Sequence, residues 1–174
     1  MKKHRTGLLS LLVLLGIALT ACGGSSGTAG TTTAAADSRA LPTELTVQFG
    51  DGGASFVMQL EDNSTADAIA GYVGTSEWRL PIYSYDESDC MEYYDIPSRY
   101  EIPDNSETVT EAHAGDVFYS DPNRIVLYYQ DAEIQEEYTR IGRFDATDEF
   151  IRAVEENPVL EGWGNQIVII RDGA

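Results

Sequence analysis

Histidine occurs twice in the sequence, at His4 and His113, and cysteine twice, at Cys22 and Cys90. With one histidine beyond the extreme N-terminus, a multi-histidine zinc site and its activated water are excluded. A serine or cysteine nucleophile would have to pair with His113, and no nucleophile-elbow string accompanies it. His113 precedes the turn Ala114-Gly115-Asp116 and reads as a surface or strand-end residue. Gly50-Asp51-Gly52-Gly53 lacks a following helix and any lysine, so it is a hairpin turn and not a phosphate loop. Asp86, Glu87 and Asp89 could gather a hard cation, but without periodic ligand spacing they read as a solvated acidic loop. No catalytic residue, metal ligand or cofactor is assigned.

The remaining chemistry lies in tyrosine and arginine. Tyr93, Tyr94, Phe118, Tyr119, Tyr128, Tyr129 and Tyr138 fall on predicted strands, where neighbours face opposite sides. Half therefore fill a core, and the others offer outward rings with a polar handle for a peptide or small apolar ligand. Core filling and cross-strand pairing are the more ordinary use of such rings. Arg140 and Arg143 are three apart on one predicted strand, so alternation points them to opposite faces and only one can enter a pocket. Arg140 is the better candidate because Tyr138 shares its face. Its ordinary alternative is a surface ion pair. Tyr128, Tyr138 and Arg140 are thus the candidate ligand-binding residues.

The N-terminus carries a different chemistry. Lys2, Lys3 and Arg5 precede the apolar run Leu8 to Leu19, too short for a permanent span and suited to a signal-peptide core. The run ends in Leu19-Thr20-Ala21-Cys22, which resembles the lipobox of bacterial lipoproteins. The resemblance implies cleavage after residue 21 and a diacylglyceryl group on the Cys22 thiol. Two or more acyl chains anchor stably, at about 0.8 kcal/mol per buried methylene. The expected location is the extracytoplasmic face of a cell membrane, with residues 22–43 as a Gly/Ser/Thr/Ala tether. Cys90 is then the only other thiol, so no intramolecular disulfide framework exists and burial in a strand is its expected state.

The 174 residues carry 29 acids, 11 Lys+Arg and a formal charge of −18. Removing residues 1–21 takes both lysines and leaves 8 Arg, for a charge of −21. Such a field repels polyanions, which excludes nucleic acid bound through its phosphates. Aromatic content argues for a packed domain over residues 44–174. Glu44 to Phe49 and Ser55 to Leu60 form a predicted hairpin. A helix follows from Asn63 or Ser64 to about Tyr72, with Ala66, Ile69, Ala70 and Val73 on one face. Trp78 to Tyr85, Cys90 to Ile96, Thr108 to Glu111, Val117 to Ser120, Ile125 to Tyr129 and Thr139 to Phe144 read as strands. A second helix, capped by Asp145 or Thr147, reaches about Glu156 and buries Phe150, Ile151 and Val154. Gln166 to Ile170 closes the chain as a strand. Strands without alternating helices argue against a doubly wound sheet.

Asp62-Asn63-Ser64-Thr65-Ala66, Leu80-Pro81, Asp95-Ile96-Pro97, Ala114-Gly115-Asp116-Val117 and Tyr138-Thr139-Arg140-Ile141-Gly142 occur in the order found in small bacterial cyclophilin-like proteins. The chain resembles that family over most of residues 44–170, with a longer stretch at Gly71 to Arg79. The resemblance implies a mainly β fold: a closed eight-stranded antiparallel barrel with two short helices. It does not bring prolyl isomerase activity with it. The isomerases' Phe-His-Arg string is missing, since neither His4 nor His113 is followed by Arg. Phe56-Val57-Met58-Gln59 matches the start of their second string but continues without its glycines, so it reads as an amphipathic strand. Three classes stay open: an anchored module binding a small molecule or peptide, a prolyl isomerase using Arg140, and a structural envelope protein.

Overall fold

The structure is a computed structural model, and it describes residues 40–83 and 89–173. The signal segment 1–21, Cys22, the tether as far as residue 39, and positions 84–88 of the acidic loop lie outside the described residues.

The chain forms nine strands and two helices in the order β1 (Glu44–Phe49), β2 (Ser55–Leu60), α1 (Ser64–Val73), β3 (Trp78–Pro81), β4 (Met91–Asp95), β5 (Glu107–Ala112), β6 (Asp116–Ser120), β7 (Arg124–Tyr128), β8 (Ala132–Phe144), α2 (Asp148–Glu155) and β9 (Ile167–Asp172). The sheet runs β3-β9-β1-β2-β8-β6-β7-β4, all antiparallel, with β5 paired to β8 off that path.

The expectation of a closed eight-stranded barrel is corrected by this topology. Among the described residues the sheet is open: β3 and β4 are its ends, and no ladder joins them. Just beyond β3, the isolated bridge Tyr83 to Tyr93 brings the chain up to β4. Pro81 supplies the physical reason. Ile82 N–H donates to Gln166 on the β9 side, and Tyr83 N–H donates to Tyr93 on the β4 side. Alternation puts position 81 on the β4 side as well, where proline has no N–H to extend the ladder.

The inner face carries one large core that includes Leu45, Val47, Phe49, Tyr94, Tyr119, Ile141, Phe144 and Ile170. Both helices pack on it. Asn63 caps α1 by accepting from Ala66 N, and the helix buries Ala66, Ile69, Ala70 and Val73. Thr147 caps α2 by accepting from Phe150 N, and Asp148 and Glu149 suit the positive end of its dipole. Phe150 and Val154 are fully buried, while Ile151 is half-buried.

On the other face lies a second, smaller core of Ala112, Phe118, Val126, Tyr128 and Tyr138. It exists because β8 is much longer than its predicted Thr139 to Phe144. The first half of β8 leaves β6 and pairs with β5, from Glu107 opposite Tyr138 to Ala132 opposite Ala112. Apolar side chains from β5 and this extension, Val109 and Ile134, pack against the small core.

Candidate functional site

A cleft of about 640 Å³ opens where β8 runs past β2 and the turn before β6. Gln59, Glu61, His113, Asp116, Arg140, Arg143 and Asp145 supply its polar lining. At its base Asp116 is almost fully buried. Its Oδ2 accepts from the backbone N–H of His113 at 2.9 Å, and its Oδ1 forms an ion pair with Arg140 Nη1. His113 Nδ1 stands 3.7 Å from the same carboxylate, beyond hydrogen-bond reach, and its ring is largely exposed.

The local sequence dictates this arrangement. Gly115 adopts φ 93°, where a Cβ would also strike the carbonyl oxygen of Phe144. That turn starts β6 with Asp116 facing β8. Across the pairing, a β-bulge interrupts the register: Val117 opposes Gly142, but Phe118 opposes Arg140. Ile141 is the extra residue, and its side chain enters the inner core. The bulge is held in place from the segment between β2 and α1. Asn63 Nδ2 donates to the carbonyl of Arg140 at 2.9 Å, and Glu61 N–H donates to that of Ile141 at 3.0 Å. Gly142 is needed because a Cβ there would lie 2.5 Å from the carbonyl oxygen of Gln59.

One expectation changes as a result. Strict alternation would separate Arg140 from Arg143, yet both line the cleft. The extra residue between them resets the period, so the two arginines share a face.

Arg140 is fixed on several sides. Its guanidinium pairs with Asp116 and lies 4.8 Å from the centre of the Phe118 ring. Phe118 stacks on Tyr138 at 5.3 Å and meets Tyr128 edge-on at 5.9 Å. Tyr128 in turn hydrogen-bonds Tyr138, and burial pushes both phenols above their ordinary range. Of the three residues singled out in the sequence, Arg140 therefore lines the cleft. Tyr128 and Tyr138 lie behind it in the small core, only 3% and 7% exposed. Arg143 is exposed and makes no ion pair among the described residues.

Sequence reasoning missed Asp116, taken only as a turn residue, and Arg143, set aside by alternation. The available signal for Asp116 was an acid directly after a glycine suited to positive φ and directly before an apolar strand. Among the described residues, no Ser, Thr or Cys lines the cleft. Its chemistry is that of guanidinium donors beside carboxylate acceptors, a polar binding surface with one orienting carboxylate.

Residues 32–160 match the model of the cyclophilin-like family, well over half of the chain. The chain belongs to the cyclophilin-like family. No curated protein matches it. Among solved structures, the domain is similar to McbB in complex with tryptophan, at 16% identity and a TM-score of 0.51 over 75% of this chain. The chain spans 45% of McbB, and the likeness is one of fold alone. A solution structure of the hypothetical protein AF2241 from Archaeoglobus fulgidus aligns with 79% of this chain and 99% of its own, at 18% identity and a TM-score of 0.49.

Proposed function

We propose that this cyclophilin-like domain is a binding module, held at the extracytoplasmic face of a bacterial membrane by lipid on Cys22, without isomerase activity. The observation that carries the binding reading is the pairing of two arginines in one cleft of a strongly acidic chain. Arg140 is held against Asp116 and Phe118, while Arg143 keeps its donors available. A peptide or small molecule presenting carbonyl or carboxylate oxygens suits that donor pair. Isomerisation asks for a guanidinium free to polarise the prolyl amide in a dry apolar pocket, against a barrier of about 18–20 kcal/mol. Arg140 already spends donors on Asp116, and Glu61 and Asp145 make the cleft polar.

A fluorescently labelled proline-containing peptide with a free C-terminus tests both halves. It should bind saturably, weaken by about tenfold in Arg143→Ala, and weaken again when its carboxylate is amidated. In a protease-coupled assay the same peptide should isomerise no faster with the protein present. Acceleration that scales with protein concentration and is lost in Arg140→Ala would establish the isomerase instead.

The anchor rests on the order of charge, apolar run, small residues and Cys22 in the sequence. No helix among the described residues is long and apolar enough to cross a membrane. Metabolic labelling with a fatty acid should mark the wild-type chain and leave Cys22→Ser unlabelled. Label that survives the substitution would disprove the anchor.

A further inference from the structure

The arginine cleft carries more charge than its ion pair uses. In the sheet, Arg143 stands directly between Gln59 on β2 and Asp116 on β6. Asp116 does not pair with it, because Oδ1 is taken by Arg140 and Oδ2 by the His113 N–H. Arg79, Arg124, Arg140 and Arg171 each hold a carboxylate, whereas Arg143 holds none among the described residues. Two carboxylates nevertheless line the same cleft, those of Glu61 and Asp145. Neither closes onto Arg143, and neither side chain has another partner among the described residues. With Arg140 and Asp116 neutralising each other, one unpaired cation and two unpaired anions face a single open space. A simple anion would satisfy Arg143 and be repelled by the two acids. A ligand that bears both charges satisfies each sign in turn.

We propose, on the basis of the binding reading above, that the cleft takes a dipeptide with both ends free. Its carboxylate sits on Arg143 and its ammonium on Asp145. The spacing along the strand sets this length. Arg143 and Asp145 are exposed and flank the buried Phe144 at the end of β8, so they leave the chain on one face. Two residues of extended chain rise about 6.8 Å. The charged ends of an extended dipeptide are separated by about 6–7 Å of its own backbone. A single amino acid holds its two charges much closer together, and a third residue adds about 3.4 Å. Glu61, on the β2 side, keeps the cleft unfavourable to a ligand of net negative charge.

Titration calorimetry of the full chain with alanylalanine, its N-acetyl form and its C-terminal amide tests the proposal. The free dipeptide should bind one-to-one, and either block should weaken it by about tenfold or more. In Asp145→Asn the free and acetylated forms should bind alike, and amidation should still weaken both. Thr147 caps α2, so that substitution leaves the helix start intact, and an unchanged urea midpoint confirms it. Equal binding of free and acetylated dipeptide to the wild type, with the amide weakened, overturns the ammonium seat and leaves the carboxylate reading standing. A preference for the free ammonium that survives Asp145→Asn also overturns it. Tighter binding of alanine or trialanine than of alanylalanine overturns the assigned length. Failure of every dipeptide and of the labelled peptide above to bind removes the binding reading itself.

Discussion

Glu92→Gln is expected to remove a decline in stability that the wild-type chain shows as pH rises from about 5 to about 8. The folded state holds the Glu92 carboxyl protonated up to about 8, whereas the unfolded chain releases that proton near its ordinary 4.5. Between those values the folded state binds more protons, so each step upward in pH favours unfolding. The full interval corresponds to a loss on the order of 5 kcal/mol, a large share of a small domain's stability. Repulsion among the other acids also grows over this range, but it is common to both proteins. Glu92 lies on β4 with only 1% of its surface exposed, and glutamine keeps its shape without a charge. Urea midpoints at pH 5 and pH 8.5 decide the matter. The variant should gain on the wild type at the higher pH, and parallel behaviour of the two would refute the assignment.

Phe150→Ala should be the most damaging single truncation of α2, costing about 3–5 kcal/mol. The ring is fully buried and sits 4.7 Å from Phe144, 5.4 Å from Phe56 and 5.8 Å from Phe49, centre to centre. An eight-residue helix is marginal alone and is held by the face it buries, here Phe150 and Val154. Removing the larger of those two anchors leaves a cavity lined by three phenylalanines. Ile151→Ala, half-buried on the same helix, should cost clearly less. Chemical denaturation gives both values, and a Phe150→Ala loss below about 1 kcal/mol would show that α2 is held by something else.

Local rules carried the reading of the fold a long way, for reasons visible in particular residues. Asn63 and Thr147 cap the two helices, and Gly50 at φ 77° turns the first hairpin. Those signals act over a few residues and need no tertiary knowledge. The first half of β8 was illegible because Glu133, Glu136 and Glu137 give it the composition of a solvated loop. Only pairing with β5, at least 20 residues away in sequence, makes it a strand. Closure of the sheet turned on which edge of β3 the N–H of position 81 would face, and Pro81 is read correctly only when both neighbours are known. The site was legible in Arg140 and hidden in Asp116 and Arg143. A bulge leaves almost no trace in composition, and one extra residue reverses every inference drawn from alternation beyond it.

The added residue at Ile141 has a consequence for relatives that diverge from this chain. One uncharged residue inserted between Arg140 and Arg143 would preserve both arginines, every existing residue and the net charge. With the bulge kept, it would nonetheless shift the pleat by one position and turn one guanidinium to the face opposite the other. Paralogues separated by such an insertion would align almost without mismatch and still differ in what they hold. Ligand range in this lineage would then track strand length at one position more closely than percentage identity.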